Sequence, residues 1–212
     1  MNRIRIAEGK AMRRCVLAFC IGAAATILWA VLGTSRIHAA GSEHVRWDLI
    51  NVDFSTTPVT ISPGGTAFAD ADATNRITFT DSSGTFVAPA SGGTSGAVTG
   101  GGKWETFDGM STKSGTYTVT GLVSWQFASF QPQAGAIDLI DPDDPRANGN
   151  AILRIRYDDG SEGILGVGCH DGAAPPGIQE GVIATKGYLT YWTGAFHAPG
   201  AVINFTTFHI LK

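Results

Sequence analysis

The stretch AILRIRYDDGSEGILGVGC, residues 151–169, decides how the rest of the chain is read. Leu153, Ile155 and Tyr157 alternate with Arg154 and Arg156, and Leu165, Val167 and Cys169 alternate with glycine. A period of two belongs to a strand with one buried face. Between the two runs stands Asp158-Asp159-Gly160. A two-residue turn at Asp159-Gly160 would set the charged Arg154 opposite Leu165. A three-residue loop instead puts Gly160 in the left-handed position such loops need. It pairs Tyr157 with Ser161, Arg156 with Glu162, Leu153 with Leu165, and Ala151 with Val167. Leu153, Ile155, Leu165, Val167 and Cys169 then share one face, and opposite charges meet on the other. Since a slip of one residue turns every side chain over, the three-residue loop is expected, in a hairpin central to the fold.

Outward from this hairpin the same grammar repeats. Short runs of Val, Ile, Phe, Tyr and Trp are punctuated by Gly, Thr and Ser every 8–12 positions, the spacing of a sandwich or barrel. Strands are expected at 44–54, 58–62, 66–70, 75–80, 84–88, 102–107, 115–129, 151–157, 162–170, 182–192 and 201–211. No stretch of 12 or more residues carries a helical period, and there is no internal repeat. In the 115–129 run, Tyr117, Val119, Val123, Trp125 and Phe127 fall on one face. A strand of that length would reach roughly 50 Å, too long for the domain, so a bend is expected at Gly121. Residues 91–102, SGGTSGAVTGGG, read as a loop or as turns around a very short strand at Ala97–Thr99. The proline-rich 138–150 segment reads as a second long connection.

Cys169-His170-Asp171 is the most conspicuous chemical cluster. A cysteine nucleophile needs a histidine within hydrogen-bond reach, and the same pair can hold a metal. Neighbours in a strand point to opposite faces, so Cys169 is expected as a core thiol beside Leu165 and Val167. His197 and His209 are the histidines that could still approach it through space, and Cys169, His197 and His209 are the metal candidates. The four histidines after residue 40, His44 included, show neither HxH nor HExxH spacing. Asp138, Asp141, Asp143 and Asp144 lack the pattern of an EF-hand loop and are expected to be a solvated acidic connection. In GYLTYWTGAF (187–196), Tyr188, Tyr191 and Trp192 are candidates for a sugar-stacking or pocket-lining site. The alternative is that Tyr188, Thr190 and Trp192 share one strand face and pack. If the domain is instead a small isomerase or hydrolase with a polar cavity, His170, Arg154, Arg156 and Glu162 are the candidate catalytic residues. No phosphate-cradling loop follows from VTGGGKW, and no cofactor is implied.

The first 40 residues differ in kind. Arg3, Arg5, Lys10, Arg13 and Arg14 precede an apolar run from Cys15 to Gly33, which ends in the small residues of TSRIHAAGS. These are the parts of an export signal, with cleavage expected after Ala39 or Ala40. The alternative is an uncleaved anchor, the only route by which a membrane would be a partner. Arg13-Arg14 also raises twin-arginine export. Residues 41–212 are then one all-β domain, periplasmic or extracellular. Six of the fifteen basic residues and one of the eighteen acidic ones lie in the first 40, leaving nine against seventeen and a net charge of −8. Such a domain is a poor partner for phosphate backbones, which excludes nucleic acid. Only Cys169 remains of the three cysteines. An internal disulfide is thus impossible there, and stability must come from the core.

RITFTDSSGTFVAP, VTGGGKWETF, GTYTVTGLVSW, LRIRYDDGSEGILGVGCH and EGVIATKGYLTYW together resemble a group of uncharacterised bacterial exported proteins, over residues 44–211. That resemblance implies a bacterial origin and a β fold, and carries no chemistry with it. The Gly-rich SGTF strands are also similar to dirigent and allene-oxide-cyclase-like barrels. The fold class expected is all-β, a single Gly-rich antiparallel barrel or sandwich. Its expected role is non-catalytic binding of a small molecule, a glycan or an envelope partner. The small barrel enzyme and a structural envelope protein are the alternatives.

Overall fold

A computed structural model describes residues 42–132, 135–172, 174–193 and 204–212. The expected export segment, residues 1–40, and His197 lie outside the described residues. Twelve strands form: β1 (Glu43–Asp53), β2 (Val59–Pro63), β3 (Thr66–Asp70), β4 (Arg76–Ala88), β5 (Val98–Phe107), β6 (Thr112–Phe130), β7 (Ala136–Asp138), β8 (Arg146–Tyr157), β9 (Glu162–Cys169), β10 (Gly181–Lys186), β11 (Leu189–Thr193) and β12 (Thr206–Leu211). The described part is all-β. Among the described residues no helix is long and apolar enough to cross a membrane.

The β8–β9 hairpin has the register read from its sequence. Arg156 faces Glu162, Leu153 faces Leu165 and Ala151 faces Val167. The Tyr157 amide donates to the Ser161 carbonyl at 2.9 Å, and Gly160 sits at φ +85°. Leu153, Ile155, Leu165, Val167 and Cys169 are all buried. Arg156 and Glu162 meet outside at 2.8 Å.

β8 also pairs along its other edge with β6, so hydrogen-bonded pairing runs in a closed circuit through β6, β5, β4, β3, β11, β10, β9 and β8. A shorter route crosses this circuit: β1 pairs with β4 and with β12, and β12 pairs with the start of β8. The described pairings are antiparallel except β2 with β7. The barrel-like interior is filled. Trp104, Tyr157, Tyr117 and Phe79 pack ring on ring at 5.3–6.4 Å, and Phe86, Trp125 and Phe208 at 4.7–5.4 Å. At Gly84 a side chain would meet the Thr99 carbonyl and the indole nitrogen of Trp47, so the bare backbone lets β4 and β5 lie over that buried ring.

Several expectations are corrected. The 115–129 run is part of a 19-residue strand. The expected irregularity falls between Val119 and Gly121 and is followed by two more. Each such step shifts the phase, so Leu122 rather than Val123 reaches the core. Segments 75–80 and 84–88 are one strand, bulged between Thr80 and Ser83. Segment 182–192 is instead a hairpin, β10–β11, turning at Gly187-Tyr188. The 138–150 connection is shorter than expected, because Ala136–Asp138 forms β7 and Arg146 already belongs to β8.

Candidate functional site

At the far end of the β8–β9 hairpin from its loop, Cys169 closes β9. Its Sγ donates to the Thr206 carbonyl at 3.2 Å and receives the Gln131 amide at 2.9 Å. Burial pushes the thiol pKa well up, and the charge of Glu180 adds to the rise. A neutral, hydrogen-bonded core thiol is the result, not an activated nucleophile. His170, next in sequence, is exposed and donates Nδ1–H to the Ile178 carbonyl at 2.7 Å. Alternation thus separates the two groups that a nucleophilic pair would need together.

The residue that joins these elements is Glu180. One carboxylate oxygen accepts the His170 amide; the other accepts the Thr206 amide at 2.6 Å and the Thr206 hydroxyl at 3.2 Å. A single partly buried carboxylate so ties the end of β9 to the start of β12. Burial pushes its pKa up to about 7 despite these hydrogen bonds, with the charge of Asp171 adding to the rise. Neither Glu180 nor Asp171 has a cationic partner among the described residues.

Beside this carboxylate opens a cavity of about 360 Å³. Ile50, Val52, Val59 and Ile61 from β1 and β2 form its apolar wall, with Phe54 and Phe205 meeting edge to face at 5.9 Å. Its polar end is Cys169, His170, Asp171, Glu180, Arg146 and Thr207. Arg146 is buried; it donates to the Pro132 carbonyl at 3.1 Å, and its Nε lies 3.7 Å from Asp138 with no hydrogen bond. Asp138 also binds Nε2 of the fully buried His209 at 2.8 Å. Burial works to raise the Asp138 pKa, but His209 and the Ile140 and Asp141 amides outweigh it and hold it at about 2. The Thr207 hydroxyl is buried and unpartnered.

The other sequence candidates scatter. Arg154, Arg156 and Glu162 lie on the outer face of the hairpin, away from this cavity. Tyr191 is core, whereas Tyr188 is fully exposed in the β10–β11 turn and Trp192 is 62 % exposed. The Tyr188-Thr190-Trp192 face points outward, so the expectation that it packs is corrected. His209 is engaged by Asp138 rather than brought to Cys169. The solvated reading of the acidic connection is corrected at Asp138, which is drawn into β7 beside His209 and Arg146. Among the described residues no group of three or more His, Cys, Asp or Glu is placed to hold a metal.

Glu180, Arg146 and Thr207 escaped the sequence reading. Arg146 opens β8, Thr207 lies in β12 and Glu180 stands just before β10, each with no motif around it. The nearest signal was an isolated acid, Glu180, directly before the apolar run of β10. No protein-family model, no curated protein and no solved structure matches this chain.

Proposed function

We propose that the chain is an exported, non-catalytic binding domain whose ligand is a small amphipathic molecule held in the cavity beside β12. The observation that carries this reading is the cavity itself: an apolar wall from β1 and β2 ending on Glu180, Asp171 and Thr207. Concave, mostly apolar sites with a few convergent polar groups are where small ligands bind. The interior of the circuit, packed with aromatic rings, supports it too. Catalysis through Cys169 and His170 is disfavoured by the neutral, buried thiol and by the engagement of His170 with Ile178.

Native mass spectrometry of the protein purified from its own envelope fraction tests this, with Val52→Trp as the variant that fills the cavity from its wall. The native protein is expected to carry a molecule of small-ligand mass, or to take one up from an envelope extract, and Val52→Trp to lose it. A native protein that takes up nothing, or a folded Val52→Trp that keeps the ligand, overturns the proposal.

A further inference from the structure

The charges around the cavity do not balance. Arg146 faces Asp138, which also holds His209, so that cation is answered within the protein. Glu180 and Asp171, which line the same cavity, have no cation within ion-pair distance among the described residues. Thr207, 1 % exposed, lines it as well, with its hydroxyl unpartnered. A partly buried carboxylate without a counter-charge is costly, and the described residues supply no cation within ion-pair distance of it. An ammonium supplies one, with three donors for two carboxylates and a hydroxyl. The apolar wall suits a hydrocarbon body and not a hydrated metal ion.

We infer that the cavity takes a primary amine with an apolar tail, its ammonium against Glu180 and Asp171 and its tail along Ile50, Val52, Val59 and Ile61. This rests on the binding-domain reading above. The groups facing Glu180 are Cys169, His170 and Asp171 at the end of β9 and Thr206 on β12. Cys169 stays a neutral thiol, and Asp171 adds negative charge. The site is therefore most anionic once Glu180 has lost its proton, above about pH 7.

Titration calorimetry of the intact protein with octylamine, octanol and octanoate tests the assignment. Octylamine is expected to bind more tightly than octanol or octanoate at pH 8, and to weaken as pH falls to 6. Shortening it to hexylamine should lose about fourfold in affinity per methylene. Asp171→Asn should weaken octylamine severalfold at pH 8 and leave octanol unchanged. Glu180→Gln should weaken it more and remove the pH dependence. Should Glu180→Gln fail to fold, Asp171→Asn decides. Octanol or octanoate binding as tightly as octylamine at pH 8 overturns the amine assignment and leaves the cavity reading standing. Absence of binding by all three, or binding that survives in Val52→Trp, overturns both.

Discussion

The two ends of the β8–β9 hairpin handle charge in opposite ways. At the loop end each acid is hydrogen-bonded, and Asp159 and Glu162 each meet a cation as well. Lys186 contacts Asp159 at 2.5 Å and Ser161 at 2.9 Å, and lies 4.0 Å from the ring centres of both Trp104 and Tyr157. Asp158 accepts the Thr116 amide and the Trp104 indole N–H. At the other end Glu180 and Asp171 face no cation among the described residues, and the hydroxyl of Thr207 and Nε of Arg146 are buried without hydrogen bonds. The same sheet supports both ends, so the fold does not force the difference. A satisfied network stabilises a turn, whereas a polar cluster left open beside an apolar cavity is placed to meet something else.

The comparison is broken most severely at the spine the two ends share. Leu165→Ala removes a fully buried side chain midway along β9 and should destabilise the protein by about 2–5 kcal/mol. Chemical denaturation should show one cooperative shift. Two separate transitions would mean that the ends are stabilised independently.

pH sharpens the comparison with a smaller effect. Glu180 is raised in the folded state to about 7 from an ordinary 4.5. Its folded form holds the proton more tightly than the unfolded chain, so its contribution is full below pH 4.5 and is lost as pH rises through 7. Asp159 runs the other way. Hydrogen bonding from Lys186, then from Ser161, holds it at about 2. Its contribution is present above pH 4 and lost as pH falls toward 2. Melting temperature against pH should therefore decline on both sides. Glu180→Gln should flatten the neutral limb alone, and Lys186→Met should weaken the acid limb alone. A Glu180→Gln profile that still falls between pH 5 and 7 would remove Glu180 as the source. The smallest effect is at the exposed Arg156–Glu162 pair, where a double-mutant cycle should give a coupling below about 1 kcal/mol.

Much of the loop end was legible in the chain itself. Arg156 and Glu162 lie six residues apart around a glycine, and one register satisfies both the charges and the apolar face. Lys186, which completes that end, arrives from β10 and leaves no local signal. The cavity end was legible only in part. Cys169 was placed correctly, because alternation from Leu165 fixes its face. A single strand over 182–192 puts Tyr188 and Trp192 on one packed face, but a turn at Gly187-Tyr188 divides it into β10 and β11 and leaves both rings exposed. Leu122 entered the core in place of Val123, because a bulge shifts the phase and a period-two pattern does not reveal where it slips.

Alternation and turn chemistry are properties of neighbours along the chain, with a period set by backbone geometry. They determine the all-β class, the β8–β9 register and the place of most strands, though not where a strand bulges or breaks. The cavity was decided by tertiary structure alone. It depends on β1, β2, β9, β12 and Glu180 converging from positions up to about 160 residues apart. Whether a carboxylate finds a cation depends on which strands pair, and no local pattern encodes that. Glu180, just before β10, reaches Thr206 on β12, a strand outside the closed circuit, and has no ion-pair partner among the described residues.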